Sequence, residues 1–215
     1  MPFMANHRLH WLPLLGLLAS CSHIESSTKG EVFAKTHADF TYCEINTVKQ
    51  NNQIACGAAA VAAVATYWDA PTTEAEILAT HPTDRDGGYT LGALAKAAES
   101  QGLQTFIIAS KSETESLATL RDHLNKGRPI IVPWECPFGR YFDNIPLIES
   151  LDSRSLNLKP FQAVNKKHFV VVCGYRDDFT SWLVMDPAYG IVKIDTAKFL
   201  DYWRGGARAM LLISL

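Results

Sequence analysis

The stretch QNNQIACGAAAVAAVATYW, Gln50–Trp68, decides the fold. From Cys56 to Tyr67 it is dominated by alanine and valine and carries neither charge nor proline. Alanine is the best helix former, and a helix that is apolar all round has to be buried. Asp69-Ala70-Pro71 supplies the stop, because proline cannot continue a helix. The domain must therefore be assembled around one close-packed helix, Cys56–Tyr67, with a cysteine at its mouth and a polar lead-in, Gln50-Asn51-Asn52-Gln53.

Outward from that helix the punctuation is regular. Thr72/Thr73 followed by Glu76 is a capping-box pattern that predicts a short helix through about Thr80. His81–Gly88 reads as a turn-rich loop, and Thr90 caps a helix over Leu91–Gln101 that Gly102 closes. Leu103–Ala109 reads as a strand and Glu113–Asn125 as a helix ended by Gly127. Strand patterns then dominate: Pro129–Trp134, Phe169–Tyr175, Ser181–Met185, Ile191–Ile194 (paired with the strand before it) and Arg208–Ser214. Asp195/Thr196 caps a short helix, Lys198–Tyr202, and Phe40–Val48 is a leading strand or extended segment. The layout is α+β, with N-terminal helices packed on a C-terminal antiparallel sheet. Glu135–Lys167 interrupts it with Pro137, Pro146 and Pro160, and is expected to be an insertion beside the functional cleft. Trp134, Phe138, Tyr141 and Phe142 would line an apolar groove there or pack in the core.

At 215 residues and 47% hydrophobic, the chain fits a single domain with an ample core. Lys+Arg 20 against Asp+Glu 22, with no long basic run, gives no footprint for nucleic acid. The cysteine spacing contains no C-x-x-C and no histidine at a finger-like offset, so neither a zinc site nor a cofactor is expected. The first residues differ from the rest. Arg8 and His10 precede the apolar run Trp11–Leu18, then Ala19-Ser20-Cys21, the pattern of a secretory signal. Leu18-Ala19-Ser20-Cys21 resembles a bacterial lipobox, which makes Cys21 the lipidated first residue. The expected division is a signal peptide at 1–20, a tether at 21–39 and the domain at 40–215. Each buried methylene of an acyl chain adds about 0.8 kcal/mol of membrane affinity. Ser22 points to the periplasmic face of the outer membrane. In an oxidising envelope a disulfide is permitted, Cys43–Cys136 among several pairings, with Cys56 free for chemistry.

The chemistry-bearing residues follow one order along the chain. Cys56 opens the buried helix, where a thiolate is favoured. His168 leads the apolar run KKHFVVVCGY (Lys166–Tyr175), placed to take a proton from a thiol and return it to a leaving group. Asp186 closes WLVMDPAYG (Trp182–Gly190), where a carboxylate can hold the second imidazole nitrogen. Gln50, with Gln53 as its competitor, offers a side-chain amide to an oxyanion beside the Cys56 backbone N–H. Each residue has an ordinary structural explanation by itself; the set and its order do not.

Q-x5-C-G, HFVVVCGY and DPAYG, followed by a strand and a helix containing Phe199, Tyr202 and Trp203, resemble the C39 cysteine peptidases, among them the leader-cleaving domains of bacteriocin exporters. Gly87-Gly88-Tyr89-Thr90 and Gly102-Leu103 match the middle of that pattern, and the resemblance covers Val48–Leu215. It implies a papain-like fold in which Cys56 is nucleophile, His168 base, Asp186 orienter and Gln50 oxyanion donor. It also implies a peptide or exported-protein leader as substrate and a separate exporter or envelope partner. Ala55 stands where the family often has an acidic residue. Two other activities suit the same residues: acyl or γ-glutamyl transfer of the phytochelatin-synthase type, and non-catalytic binding of a peptide at the envelope.

Overall fold

The computed structural model describes residues 38–83, 88–135, 148–150, 167–205 and 208–215. The elements run β1 (Phe40–Tyr42), α1 (Cys56–Tyr67), α2 (Glu74–Thr80), α3 (Leu91–Glu99), β2 (Gln104–Ala109), α4 (Glu113–Leu124), β3 (Ile130–Glu135), β4 (Ile148–Ser150), β5 (Lys167–Arg176), β6 (Ser181–Asp186), β7 (Gly190–Asp195), α5 (Thr196–Gly205) and β8 (Ala209–Ser214). The strands form one antiparallel sheet in the order β2-β8-β3-β5-β6-β7-β4. The long strand β5 pairs with β3 over Lys167–Val172 and with β1 over its last three residues, so β1 takes the flank that β3 leaves.

Alternation along the strands divides the core between two faces. Ile131, Val171, Met185 and Leu211 face α1, α2 and α3. Ile130, Val132, Val170, Val172, Val184 and Leu212 face α4 and α5. Because both faces are covered at the centre of the sheet, β3, β5, β6 and β8 read as nearly unbroken apolar runs and hide the period of two. The alanines of α1 are almost entirely buried against β5 and neighbouring helices, as a close-packed central helix requires. The caps at α2, α3 and α4 are Thr73 (with Glu76 completing a capping box), Thr90 and Ser112, and Asp195 caps α5 through the N–H of Ala197 at 2.8 Å.

Gly174 marks the tightest point. It follows a register shift between β5 and β6, and a Cβ there would lie 2.7 Å from the Thr41 carbonyl oxygen, 2.7 Å from Tyr42 Cβ and 2.8 Å from Leu183 Cδ1. Only glycine lets β1 and β6 close on β5 at this place.

The structure refines several expectations. Of Phe40–Val48, expected as a strand or extended segment, only Phe40–Tyr42 is strand; the chain then leaves β5 and brings Gln50 to the turn after β6. Its exit is marked by Cys43 N–H donating to the Cys173 carbonyl at 2.7 Å and Gln50 N–H to the Pro187 carbonyl at 2.9 Å. The strand expected at Leu103–Ala109 is β2, which joins the sheet edge beside β8, and α4 and α5 cover the second face. Within the expected insertion, Ile148–Ser150 is a strand on β7; the residues around it, with Phe138, Tyr141 and Phe142, lie outside the described residues. Trp134 lines no groove. It is buried, with Phe199 and Tyr202 at centroid distances of 5.8 and 5.5 Å.

The pairing Cys43–Cys136 is not formed: Cys43 is a free, buried thiol. Cys136 lies outside the described residues. Burial instead pushes the Cys43 thiol up to about 11, with a hydrogen bond to Tyr67 acting the other way. The expected signal peptide, Cys21 and the tether up to residue 37 lie outside the described residues. Among the described residues no helix is long and apolar enough to cross a membrane.

Candidate active site

Cys56 is the first residue of α1 and is almost entirely buried, at 5% exposure. The helix start has no side-chain cap, its N-cap position is Ala55, and no acidic residue lies in its first turn. The positive end of the helix is thus left to whatever occupies the cleft beside Cys56. Gly57 serves the packing behind the cysteine. A Cβ there would lie 2.8 Å from Leu94 Cδ2 and 3.1 Å from Tyr89 Cδ2, so its missing side chain lets α3 and Tyr89 pack against the helix behind the cysteine.

His168 is the second residue of β5, and its side chain is 15% exposed. Its Nε2 lies 2.8 Å from Oδ1 of Asp186, the fully buried last residue of β6. The same Oδ1 accepts the N–H of Ala188 at 2.8 Å, which fixes the carboxylate. The Cys56 thiol lies near enough to the imidazole to act on its charge. Sulfur, imidazole and carboxylate are thus brought together from α1, β5 and β6. Burial works against a charged His168, but the charge and hydrogen bond of Asp186, with Cys56 adding in the same direction, outweigh it and hold the group well above the ordinary histidine value.

That elevation has a consequence for stability. A protonated His168 is favoured more in the folded than in the unfolded chain. Its contribution is thus fully present below about pH 6.5 and is lost as pH rises through the higher folded value. Melting temperature measured from pH 6 upward is expected to fall more steeply for the native chain than for His168→Gln. Parallel curves would contradict this account of the pair.

Gln50 is 6% exposed, whereas Gln53 is only half-buried, so burial separates the two glutamines. Its backbone N–H donates to Pro187, the residue after Asp186, and its side-chain Nε2 donates to the Asn52 carbonyl at 2.9 Å. One of the two Nε2 hydrogens is engaged in this way and the other remains for the cleft. Asn52 also holds the loop by accepting the Ile54 N–H at 3.0 Å. Sequence reasoning overlooked Asn51 and Glu74, which are joined by two hydrogen bonds. Nothing local signals that pair, since its members are 23 positions apart. Among the described residues no cluster suited to a metal ion occurs.

The model of the Peptidase C39 like family matches this sequence over residues 42–209. The chain belongs to that family. Solved structures agree in fold. A double glycine motif protease from an AMS/PCAT transporter, in complex with the leader peptide, superposes with a TM-score of 0.53 at 22% identity, over 80% of this chain and 92% of that one. The peptidase domain of Streptococcus ComA, a bi-functional ABC transporter, gives 0.54 at 19% identity, over 78% and 96%. A putative C39-like peptidase from Bacillus anthracis gives 0.53 at 15% identity, over 79% and 94%. No curated protein sequence matches significantly. The mixed helix-and-sheet architecture is thus that of the C39 peptidase domains, the papain-like arrangement expected from the sequence.

Proposed function

We propose that this C39-family chain is a cysteine peptidase that hydrolyses a peptide bond in a peptide or exported-protein leader. The observation that carries the reading is the Cys56–His168–Asp186 cluster at the start of an uncapped helix. His168 takes the thiol proton, and Cys56 sulfur adds to the carbonyl carbon. The oxyanion so formed is met by the Cys56 N–H and the Gln50 amide. Collapse breaks the C–N bond and His168 gives its proton to the leaving amine. Water, deprotonated by the same imidazole, then cleaves the thioester, returning the thiol and releasing a carboxylic acid. Asp186 keeps the ring oriented and stabilises the imidazolium. A peptidase relative crystallised with its leader peptide supports an extended peptide segment as substrate.

The test uses peptide profiles of the cell envelope and labelling of the purified domain. Iodoacetamide at neutral pH is expected to modify Cys56, beside the His168 imidazole, ahead of Cys43 and Cys173, whose thiols burial pushes up. A Cys56→Ala copy should accumulate the uncleaved substrate. Identical envelope peptides with and without Cys56 would remove the reading.

We also propose that the protein acts on the periplasmic face of the outer membrane, tethered through Cys21, where a separate exporter would present substrates. Cys21→Ser is expected to abolish incorporation of labelled fatty acid and to release the protein from membranes. Undiminished labelling would refute the anchor.

A further inference from the structure

We propose that Glu74 is a positioning residue for oxyanion stabilisation: its buried carboxylate grips Asn51 and so fixes Gln50 in the cleft. The inference rests on the roles just proposed for Cys56 and Gln50, and adds a residue that neither role requires.

Glu74 stands at the first position of α2, yet the capping of that helix is done by Thr73 and Glu76. It is nevertheless only 3% exposed, and a carboxylate is costly to bury unless its oxygens are hydrogen-bonded. A single residue meets both oxygens. Oε1 accepts the Asn51 backbone N–H at 2.9 Å, and Oε2 accepts the Asn51 side-chain Nδ2. Asn51 itself is exposed, so no hydrophobic burial holds it there. The grip takes hold of its main chain and side chain together.

Gln50 is thereby restrained from both flanks. Its own N–H is tied to Pro187, in the turn that begins with Asp186, and the peptide that follows it is tied to Glu74 on α2. The Gln50 amide makes one hydrogen bond through Nε2, while its buried Oε1 has no partner. An amide left half-satisfied does not choose its own position, since an unmet buried acceptor is a cost. Its place is imposed by the neighbouring main chain, and Glu74 supplies half of that restraint. Glu74 also reaches the wall behind the nucleophile. After burial, its charge is the second cause raising the Tyr89 hydroxyl, and the Tyr89 ring packs on Gly57.

Two reagents acting at Cys56 separate positioning from general damage. Iodoacetamide is attacked at a saturated carbon: the S–C bond forms, iodide leaves and no oxyanion arises. p-Nitrophenyl acetate is attacked at a carbonyl: an oxyanion forms, then the C–O bond breaks and nitrophenolate leaves. Losing a whole oxyanion donor costs on the order of 10²–10³-fold in rate. Glu74→Ala, which only loosens one, is expected to slow the nitrophenolate burst by about 10- to 100-fold. Alkylation should stay within about twofold of the native rate. Glu74→Gln keeps an acceptor oxygen for the Asn51 N–H and should lose less. In a Gln50→Ala background, Glu74→Ala should add nothing, because the two act as one unit.

Unchanged acylation in Glu74→Ala, equal losses with both reagents, or an additive loss on top of Gln50→Ala would each overturn the inference. If Glu74→Ala does not fold, Glu74→Gln in both backgrounds gives the same comparison. A native chain that reacts with neither reagent sinks the peptidase reading itself. Normal reaction of the native chain with both, together with indifferent Glu74 variants, sinks the Glu74 role alone.

Discussion

Cys56→Ala is expected to lower peptide hydrolysis by about 10⁴- to 10⁶-fold, His168→Ala to do nearly the same, and the double variant to be no worse than either. The reason is that the two proposed roles depend on each other. Without the imidazole the Cys56 thiol has no acceptor for its proton, and without the sulfur the imidazole has nothing to activate. Once one member is gone, the other has no remaining work in the reaction. The measurement is single-turnover cleavage of a substrate peptide by the four proteins, with melting curves to establish that each is folded. Losses that multiply would show that His168 and Cys56 act separately, and the proposed mechanism would fall. A residual rate above that of the uncatalysed reaction is expected in every variant, since the backbone N–H at the start of α1 and the Gln50 amide survive these substitutions.

Gly174→Ala is expected to lower stability by about 3 kcal/mol, which for a domain of this size is a fall of roughly 6–12 °C in Tm. The added methyl group would meet the Thr41 carbonyl and Tyr42 Cβ, both held by the pairing of β1 with β5, and Leu183 on the opposite flank. Leu183 can turn aside, but the Thr41 carbonyl and Tyr42 Cβ cannot yield without moving β1. Gly92 provides a comparison of opposite sign. It is exposed on α3, and a Cβ there meets only Thr90 Oγ1 at 3.9 Å. Gly92→Ala should therefore leave the melting temperature unchanged or raise it, by up to about 1 kcal/mol of helix propensity. Equal effects at the two glycines would mean that β1 does not close on β5 as described.

What could be read from the sequence was mostly local. The bounds of α1 were legible because a proline-marked stop and an apolar face on every side leave few alternatives. The helices α2 and α3 declared themselves through Thr73 and Thr90, and the β6–β7 hairpin through the short Asp186–Gly190 turn. The resemblance in Q-x5-C-G, HFVVVCGY and DPAYG then led to the family, because these short patterns keep their spacing. Pairings between distant segments were not legible. Nothing local in Gln104–Ala109 says that its partner is Ala209–Ser214 at the far end of the chain. The grip of Glu74 on Asn51 and the contact of Leu94 with Gly57 have the same character. Whether Trp134 lines a groove or packs in the core was left open for a related reason: its partners Phe199 and Tyr202 on α5 lie far downstream.

The turn Asp186-Pro187-Ala188 carries a burden larger than its length. Its carboxylate steadies the imidazole, its own N–H at Ala188 locks that carboxylate, and its central carbonyl receives the main chain of Gln50. The proposed base and the proposed oxyanion loop are consequently indexed to one landmark, and neither can be relocated independently. A chimera that exchanged the β6–β7 connection for a longer one would disturb proton transfer and charge stabilisation at once, even with every reactive side chain retained. Grafting this chemistry onto another scaffold would require carrying those three residues as a fixed jig together with the helix and strand they align.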